Sequence, residues 1–112
     1  MSVIHATRPL VLEERQRSPD GAGGFAVTWG VLGTLWAEVK PGTGRDANGE
    51  EVILASLPLR ITVRGAPPGA PDRPKPDQRF REGARLYRIL AVTERDAAGD
   101  WLLCYAREEA PT

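Results

Sequence analysis

Two residues of this sequence have side chains that could act in catalysis. His5 is the only histidine and Cys104 the only cysteine. A catalytic nucleophile needs a base and an orienting group within reach. His5 belongs to an N-terminal arm, residues 1–8, whereas Cys104 has apolar neighbours in a predicted strand. We expect His5 to be a surface residue and Cys104 to be a buried, unreactive side chain.

Charged and glycine-rich motifs give no enzyme signature either. Adjacent carboxylates at 13–14 and at 50–51 point to opposite sides of an extended chain, so they do not converge on one substrate atom. Gly44 and Gly49 have the spacing of a phosphate-binding loop, but Glu50 occupies the position of that motif's lysine and would repel phosphate. We expect no enzyme activity and no cofactor.

A partial calcium-loop pattern also fails. Asp46, Asn48 and Gly49 match part of such a loop, but its other ligands and its closing glutamate are missing at the required spacing. Asn-Gly tolerates the positive φ angles of tight turns, so the pattern indicates a turn. We therefore expect no bound metal.

Length and composition limit the remaining function classes. The chain has 112 residues, of which 41% are hydrophobic, enough for one modest core. Fifteen basic residues balance fifteen acidic ones, so the charge excess typical of a free-standing nucleic-acid-binding protein is missing. No apolar run approaches the ~20 residues of a membrane span, and one cysteine excludes an internal disulfide. We expect one soluble intracellular domain, residues 1–112.

The abundance of helix-breaking residues predicts strands. Twelve glycines and ten prolines are too many for a helical domain of this size. Turns are predicted at 18–24 and 96–100, and Gly30 and Gly33 predict a kink or bulge. The predicted fold class is all-β, a small, mainly antiparallel barrel or sandwich with long glycine- and proline-rich loops. The predicted strands are residues 9–17, 25–29, 34–39, 57–64, 86–93 and 101–106.

The predicted strands and loops differ in their patterns of apolar residues. Residues 57–63 alternate between apolar and polar, as a half-buried strand does. Residues 86–93 and 101–106 are apolar on both faces, so we expect one face to lie against another subunit. Residues 65–78 contain five prolines and form a surface loop, either a functional one or a mere spacer.

Three large aromatic residues leave two interpretations open. Trp36, Tyr87 and Trp101 either pack in the core, as large aromatics usually do, or form an exposed stacking platform. We expect core packing, with a cost of about 3 to 5 kcal/mol for Trp36→Ala. An exposed platform would indicate the alternative function, a monomeric β-barrel that binds nucleic acid or peptide.

The order of several motifs resembles one protein family. The motifs are Gly23 and Gly24 before Trp29, "TLWAEVKPGTGR" at 34–45, a strand ending at Val63 and Arg64, and "GARLYRILAV" at 83–92. This order resembles the head-tail joining proteins of tailed bacteriophages, also called head-closure or stopper proteins. The resemblance spans nearly the whole chain. Residues 65–78 depart from it, because they are longer and richer in proline than the corresponding connection.

The resemblance implies a structural, non-enzymatic subunit of a virion or virion-like particle that is assembled in the bacterial cytoplasm. Such a subunit forms a six- or twelve-fold ring of identical copies. The ring lies between the portal or adaptor ring of a DNA-filled capsid and the tail terminator or tail-end protein. Packaged DNA occupies its channel, and the ring helps to retain that DNA. The source would be a phage, a prophage or a gene transfer agent.

Two sets of candidate site residues follow from this implied assembly. Residues 40–51 are rich in glycine and charge, and in a ring such loops either reach the axis as a gate for DNA or contact a neighbouring subunit. The channel or interface candidates are Lys40, Gly42, Gly44, Arg45, Asp46, Asn48 and Gly49. The subunit-interface candidates are Trp36, Arg88 and Tyr105.

Overall fold

The chain folds as a closed antiparallel barrel. A computed structural model describes residues 3–41 and 58–110, and this part of the chain contains no helix that could cross a membrane. The strands are β1 (Arg8–Pro19), β2 (Phe25–Pro41), β3 (Pro58–Arg64), β4 (Arg79–Glu82), β5 (Arg85–Glu94) and β6 (Trp101–Glu109). Their order is β1-β2-β3-β6-β5-β4, and pairing of β4 with β1 closes the sheet. The predicted all-β class is confirmed.

Side chains alternate between the barrel interior and its outer surface. Along β3, Ile61 and Val63 are fully buried, as the apolar alternation predicts. Thr62 is buried too, contrary to the predicted polar face, because Glu38 and Leu103 flank it on the neighbouring strands. The core consists of Leu10, Leu12, Ala37, Ile61, Val63, Phe80, Tyr87, Ile89, Leu102, Cys104 and Ala106.

The β5–β6 hairpin carries apolar residues on its outer surface as well as in the core. Leu103 faces outward but is nearly covered, whereas Leu90 and Tyr105 are exposed. The pairing register shifts between Ile89 and Ala91, so Leu90 is the extra residue of a bulge. These two strands are therefore not enclosed in the core on both faces, and part of their apolar surface is available for contact.

The second strand is longer than the sequence predicts. β2 is a single strand of 17 residues, where two shorter strands were expected. The predicted kink is present as a bulge, because Leu12 pairs with Gly33 and Glu13 with Val31, which leaves Leu32 without an opposite residue. A bulge absorbs one extra residue while the hydrogen-bonded ladder continues on both sides, so it does not end the strand.

A tight, glycine-dependent turn joins β1 to β2. β1 continues past its predicted end, and the turn begins at Asp20. The Asp20 carboxylate accepts hydrogen bonds from the backbone N–H groups of Ala22 at 2.8 Å and Gly24 at 3.0 Å. Gly21 and Gly23 have φ angles of 82° and 85°, which residues with side chains rarely adopt.

The outer part of this hairpin projects from the barrel as an arm. β1 pairs with β4 only through residues 11–13, and β2 pairs with β3 only from Ala37 to Pro41. Within the described residues, the strand segments of 14–30 therefore pair only with each other. We call residues 14–30 the hairpin arm.

The proline-rich segment 65–78 is the predicted surface loop, and both of its ends are fixed to the barrel. The Gly65 N–H donates to the Asp100 carbonyl at 2.7 Å, and the Asp77 N–H donates to the Ile89 carbonyl at 2.9 Å. Pro74 is fully buried. The loop leads into β4, a four-residue strand that the sequence analysis did not predict.

A buried ion pair stabilises the junction of β1 and β4. Glu13 is 4% exposed, and its two carboxylate oxygens accept hydrogen bonds from Arg79 Nε at 2.7 Å and Arg81 Nε at 2.9 Å. Trp29 of the hairpin arm lies beneath the Arg79 guanidinium, 4.0 Å from carbon to ring centre. The same arginine thus binds both the closing strand and the base of the arm.

We predict that Glu13→Ala lowers the free energy of unfolding by about 3 kcal/mol, because two arginines lose their shared buried carboxylate. Urea unfolding at neutral pH measures the effect. Glu14→Ala is the matched control: Glu14 is the next residue but is exposed, so its removal should cost less than about 0.5 kcal/mol. Equal losses in the two variants would contradict the structural role of Glu13.

The same ion pair should make stability depend on pH. Burial alone would raise the pKa of Glu13, but hydrogen bonds from Arg81 and Arg79 outweigh it and hold the pKa below its ordinary value. A lowered folded-state pKa contributes stability above the unfolded pKa of about 4, and this is lost as pH falls through the folded value. The difference between parent and Glu13→Ala should therefore shrink below about pH 4. A difference that is constant with pH would contradict this origin.

Candidate interface and channel surfaces

Lys40 is the one channel-loop candidate among the described residues, and it lies in a strand. It belongs to β2 and pairs directly with Arg60 of β3, so the expected loop does not begin at Lys40. The ladder continues because its pairs run on to Pro41 and Leu59. The remaining candidates, Gly42, Gly44, Arg45, Asp46, Asn48 and Gly49, lie outside the described residues and stay predictions.

Trp36 is exposed, contrary to the expectation of core packing. Its exposed fraction is 59%, whereas Ala37 next to it is fully buried. Strand alternation explains this, because Ala37 points inward and Trp36 must then point outward. The indole borders a groove of about 350 Å³ with Ala6, Thr34 and Leu35, and with Arg64 and Trp101 on neighbouring strands. Thr34, Trp36 and Glu38 occupy alternate positions of the strand, and the two flanking residues are polar. This pattern in the sequence could have placed Trp36 on the outer surface of the barrel.

Tyr87 is a core residue, as expected, and cannot be a stacking platform. Its ring is fully buried, and its hydroxyl donates to Glu82 Oε1 at 2.9 Å. Burial and this hydrogen bond raise the pKa of Tyr87 to about 12. Arg8 Nε donates to the other Glu82 oxygen at 2.8 Å, and this bond helps to lower the pKa of Glu82. The three side chains thus link β1, β4 and β5.

Trp101 is partly covered rather than fully exposed. It is half-buried, and the Arg64 guanidinium lies 5.0 Å from its ring centre. Cation and ring face outward together because Arg64 and Trp101 are a directly opposed pair of β3 and β6. Of the three aromatics considered for a platform, Trp36 alone is well exposed.

Arg88 and Tyr105 lie close together on the outer surface of β5 and β6. Arg88 pairs with Arg107, which is two residues beyond Tyr105 on β6. Arg88 makes long ion pairs with Asp77 at 3.6 Å and Glu109 at 3.8 Å. Its Nε is buried without a hydrogen-bond partner in the described structure.

The exposed apolar residues form two separate surfaces. β2 and β5 are three strands apart in either direction around the closed sheet. One surface, which we call the β2 band, consists of Phe25, Val27, Val31 and Trp36, with exposures of 45% to 62%. The other, the β5–β6 patch, consists of Leu90 at 47% and Tyr105 at 38%. The structure therefore separates Trp36 from Arg88 and Tyr105, which were predicted as one set.

The arm residues of the β2 band were not among the residues predicted from the sequence. Phe25 and Val27 share one face of the hairpin arm with Arg15 and Arg17, as cross-strand pairing requires, and Val31 continues this face just beyond the arm. The period-2 pattern at 25, 27, 29 and 31 was visible in the sequence. It could not show that the strand pair extends beyond the barrel, because that depends on where β3 and β4 stop pairing.

No catalytic constellation is present in the described part of the chain. His5 is exposed, and its backbone N–H donates to Glu38 Oε2 at 2.8 Å. Cys104 is fully buried, as expected, and desolvation raises the pKa of its thiol to about 12. Residues 3–41 and 58–110 contain no cluster of side chains that could hold a metal ion.

Comparison with known proteins places this barrel in a family. The sequence profile of the phage head completion proteins matches residues 1–109. The chain belongs to the phage head completion protein family. A chain from the virion of a native gene transfer agent particle is 54% identical to it, with full coverage of both chains and a TM-score of 0.76. Protein SF1141 from Shigella flexneri 2a, at 24% identity, full coverage and a TM-score of 0.70, supports the fold alone. No curated protein matches.

Membership in the phage head completion family confirms the resemblance inferred from motif order. It also supports a structural role at the junction of head and tail. The features of this head completion protein that such a role could use are the two apolar surfaces, the hairpin arm and the charged outer face of the barrel. None of these surfaces depends on a reactive side chain.

Because Trp36 is exposed, its truncation should cost less than the value of about 3 to 5 kcal/mol expected for a buried ring. We predict that Trp36→Ala changes the free energy of unfolding by less than about 1 kcal/mol, because a surface truncation leaves no cavity. Phe80→Ala, which empties a fully buried site, should cost about 3 to 5 kcal/mol. Thermal unfolding of both variants is the measurement. A loss for Trp36→Ala as large as that for Phe80→Ala would place the indole in the core.

Proposed function

We propose that this head completion protein is a structural head-tail connector subunit of a phage, prophage or gene transfer agent particle. In this proposal, copies form a ring between the portal or adaptor of a DNA-filled head and the tail-end protein, and the ring helps to retain DNA. The observation that carries it is the full-length match, at 54% identity, to a chain of a gene transfer agent virion. The family match over residues 1–109 supports the same role.

The placement of the two apolar surfaces supports assembly into a ring. A contact between different surfaces of identical subunits is heterologous, and it closes into a ring when the rotation between neighbours permits. The β2 band and the β5–β6 patch are different surfaces, carried by strands that are not neighbours in the sheet. We propose that the β2 band of each subunit packs against the β5–β6 patch of the next copy.

The hairpin arm would extend this contact beyond the barrel. A two-stranded hairpin is only marginally stable by itself in water. The β2 side of this arm exposes Phe25 at 60% and Val27 at 45%. Cover by a neighbouring subunit would remove this surface from water and add to the support that Arg79 gives at the base of the arm.

The alternative function, a monomeric barrel that binds nucleic acid or peptide, has less structural support. Two of the three rings proposed for its platform are unsuitable, because Tyr87 is fully buried and Trp101 lies under Arg64. Only Trp36 could stack freely. Native mass spectrometry separates the two functions, since the alternative requires a stable monomer.

We also propose that the protein acts without catalysis. Its one histidine and its one cysteine lie apart, and the thiol is held protonated by burial. We expect no hydrolysis of nucleotides, phosphodiesters or esters by the purified chain. Turnover that disappears in His5→Ala or Cys104→Ser would contradict this expectation.

The ring contact can be tested with one substitution on each surface. We predict that Val27→Asp and Leu90→Asp each prevent ring formation, because each places a charge in an apolar contact. Thr28→Asp is the matched control, since Thr28 is exposed on the opposite face of the arm. Native mass spectrometry reports the assemblies, and nuclease-protected DNA per head reports function after mixing with DNA-filled, portal-bearing heads.

A mixture of the two variants distinguishes a heterologous contact from a symmetric one. Val27→Asp keeps an intact β5–β6 patch, and Leu90→Asp keeps an intact β2 band. Together they retain one complete contact and should form heterodimers that cannot close into rings. Rings from either variant alone, or failure of Thr28→Asp to the same degree, would contradict the proposed contact. Failure of the parent chain to join heads would contradict the connector role itself.

A further inference from the structure

The proline-rich segment 65–78, which we call the proline loop, is held in one shape by its own hydrogen bonds. The Ala70 N–H donates to the Pro67 carbonyl at 3.0 Å, and the Arg73 N–H donates to the Ala70 carbonyl at 3.1 Å. Two β-turns therefore follow each other. Gly69, the third residue of the first turn, has the positive φ of 87° that a type II turn requires. Such a pre-ordered loop loses little conformational freedom when another surface covers it.

The two turns expose proline rings beside a carboxylate. Pro68 and Pro71 are the second residues of the turns, and both are exposed. A proline side chain has no rotamer freedom to lose on burial. Asp72 is exposed and makes no ion pair within the described residues. The cation that follows it, Arg73, donates from Nη1 to the Ala66 carbonyl at 2.7 Å, so this side chain is bound within its own loop.

The groove of about 350 Å³ beside Trp36, which we call the indole groove, offers groups that complement this loop. Trp36 is 59% exposed, and its indole is available for stacking. Arg64 is exposed and lies over the ring of Trp101, and in residues 3–41 and 58–110 it makes no ion pair. Aromatic-lined grooves are common receptors for proline-containing segments, and a guanidinium pairs well with a carboxylate.

The proline loop does not occupy the indole groove of its own subunit. The described residues that line the groove include none from the loop. Pro67 and Pro68 instead line a separate hollow with Gly99 of the β5–β6 connection. The Gly65 N–H donates to the Asp100 carbonyl at 2.7 Å, which holds the start of the loop against that connection. A proline loop that fills the groove must therefore come from another copy.

We infer that the proline loop of one copy docks in the indole groove of the next, with Asp72 opposite Arg64. The inference rests on the proposed ring. Trp36 of the groove belongs to the β2 band. The loop ends beside the β5–β6 patch, because the Asp77 N–H donates to the Ile89 carbonyl at 2.9 Å. Loop and groove thus belong to the two surfaces that meet in the proposed contact, and one chain supplies both halves.

Cysteine cross-linking tests this contact directly. Thr34→Cys places a thiol in the indole groove, and Ala70→Cys places one between the two exposed prolines. The native Cys104 is fully buried and should stay unreacted. After treatment of an equimolar mixture with a short bismaleimide, we expect mixed dimers and almost no dimers of either variant with itself. Gel electrophoresis of tagged and untagged chains distinguishes these products.

Two further chains set the controls. Thr28→Cys, on the exposed opposite face of the hairpin arm, should not link to Ala70→Cys. A chain that carries both Thr34→Cys and Ala70→Cys should give a covalent ladder beyond the dimer, because each copy in a ring has two neighbours. Missing mixed links, or equal linking of Thr28→Cys, would overturn the inference. A ladder that ends at the dimer would also overturn it, because that result indicates a reciprocal pair of subunits.

Charge reversal tests the pairing of Asp72 with Arg64. Arg64→Asp and Asp72→Arg should each raise the chain concentration needed for half-assembly by about 5- to 30-fold, because each brings like charges together. The chain with both substitutions should assemble at nearly the parent concentration, since opposite charges then face each other again across the contact. Native mass spectrometry over a dilution series gives these concentrations. A combined chain that assembles no better than the single variants would contradict the pairing.

These experiments separate the inference from the connector proposal. Mixed cross-links in a chain that does not attach to portal-bearing heads would leave the inference intact and contradict the connector role. Rings that attach to heads but give no mixed cross-links would contradict the inference alone. The absence of both attachment and cross-links would contradict both.

Discussion

The structure depends on the junction between β1 and β4. Only three residue pairs join these strands, yet without them the six strands form an open sheet with two free edges. The carboxylate of Glu13, shared by Arg79 and Arg81, holds the junction from the outer side, while Leu12 and Phe80 pack beneath it. A short contact can close the barrel because it combines a buried ion pair with core packing.

The same junction sets the direction of the hairpin arm. Arg79 binds Glu13 and also covers the ring of Trp29 at the base of the arm. Next to it, the bulge at Leu32 changes which β2 residues face outward, so Val31 and Trp36 lie on the same side although they are five positions apart. The β2 band is therefore a continuous surface only because the bulge and the ion pair occur together.

Local patterns predicted much of the fold. Alternation identified β3, and paired glycines located the bulge in β2. Proline content identified the loop at 65–78. Apolar runs identified β5 and β6, and the order of motifs identified the family. β4 was missed because four residues, two of them arginines, carry no periodic signal, and their strand geometry comes from pairing with β1 and β5. Trp36 was misplaced because residue type was given more weight than the alternation fixed by Ala37. The separation of the two apolar surfaces depends on strand order, which single-strand patterns do not contain.

The long sequence separation across the β1–β4 junction has a consequence for how the chain must fold. Glu13 and Arg79 are 66 residues apart, whereas β1 and β2 are joined by a five-residue turn. Forming a contact over so long a stretch costs more chain entropy than forming a local hairpin, and the contacts that repay this cost exist only once the strands between are ordered. Until then, β1 and β4 are edges that can pair with any exposed strand. Closure thus also protects the chain from misassociation, because it removes both edges at which another chain could pair.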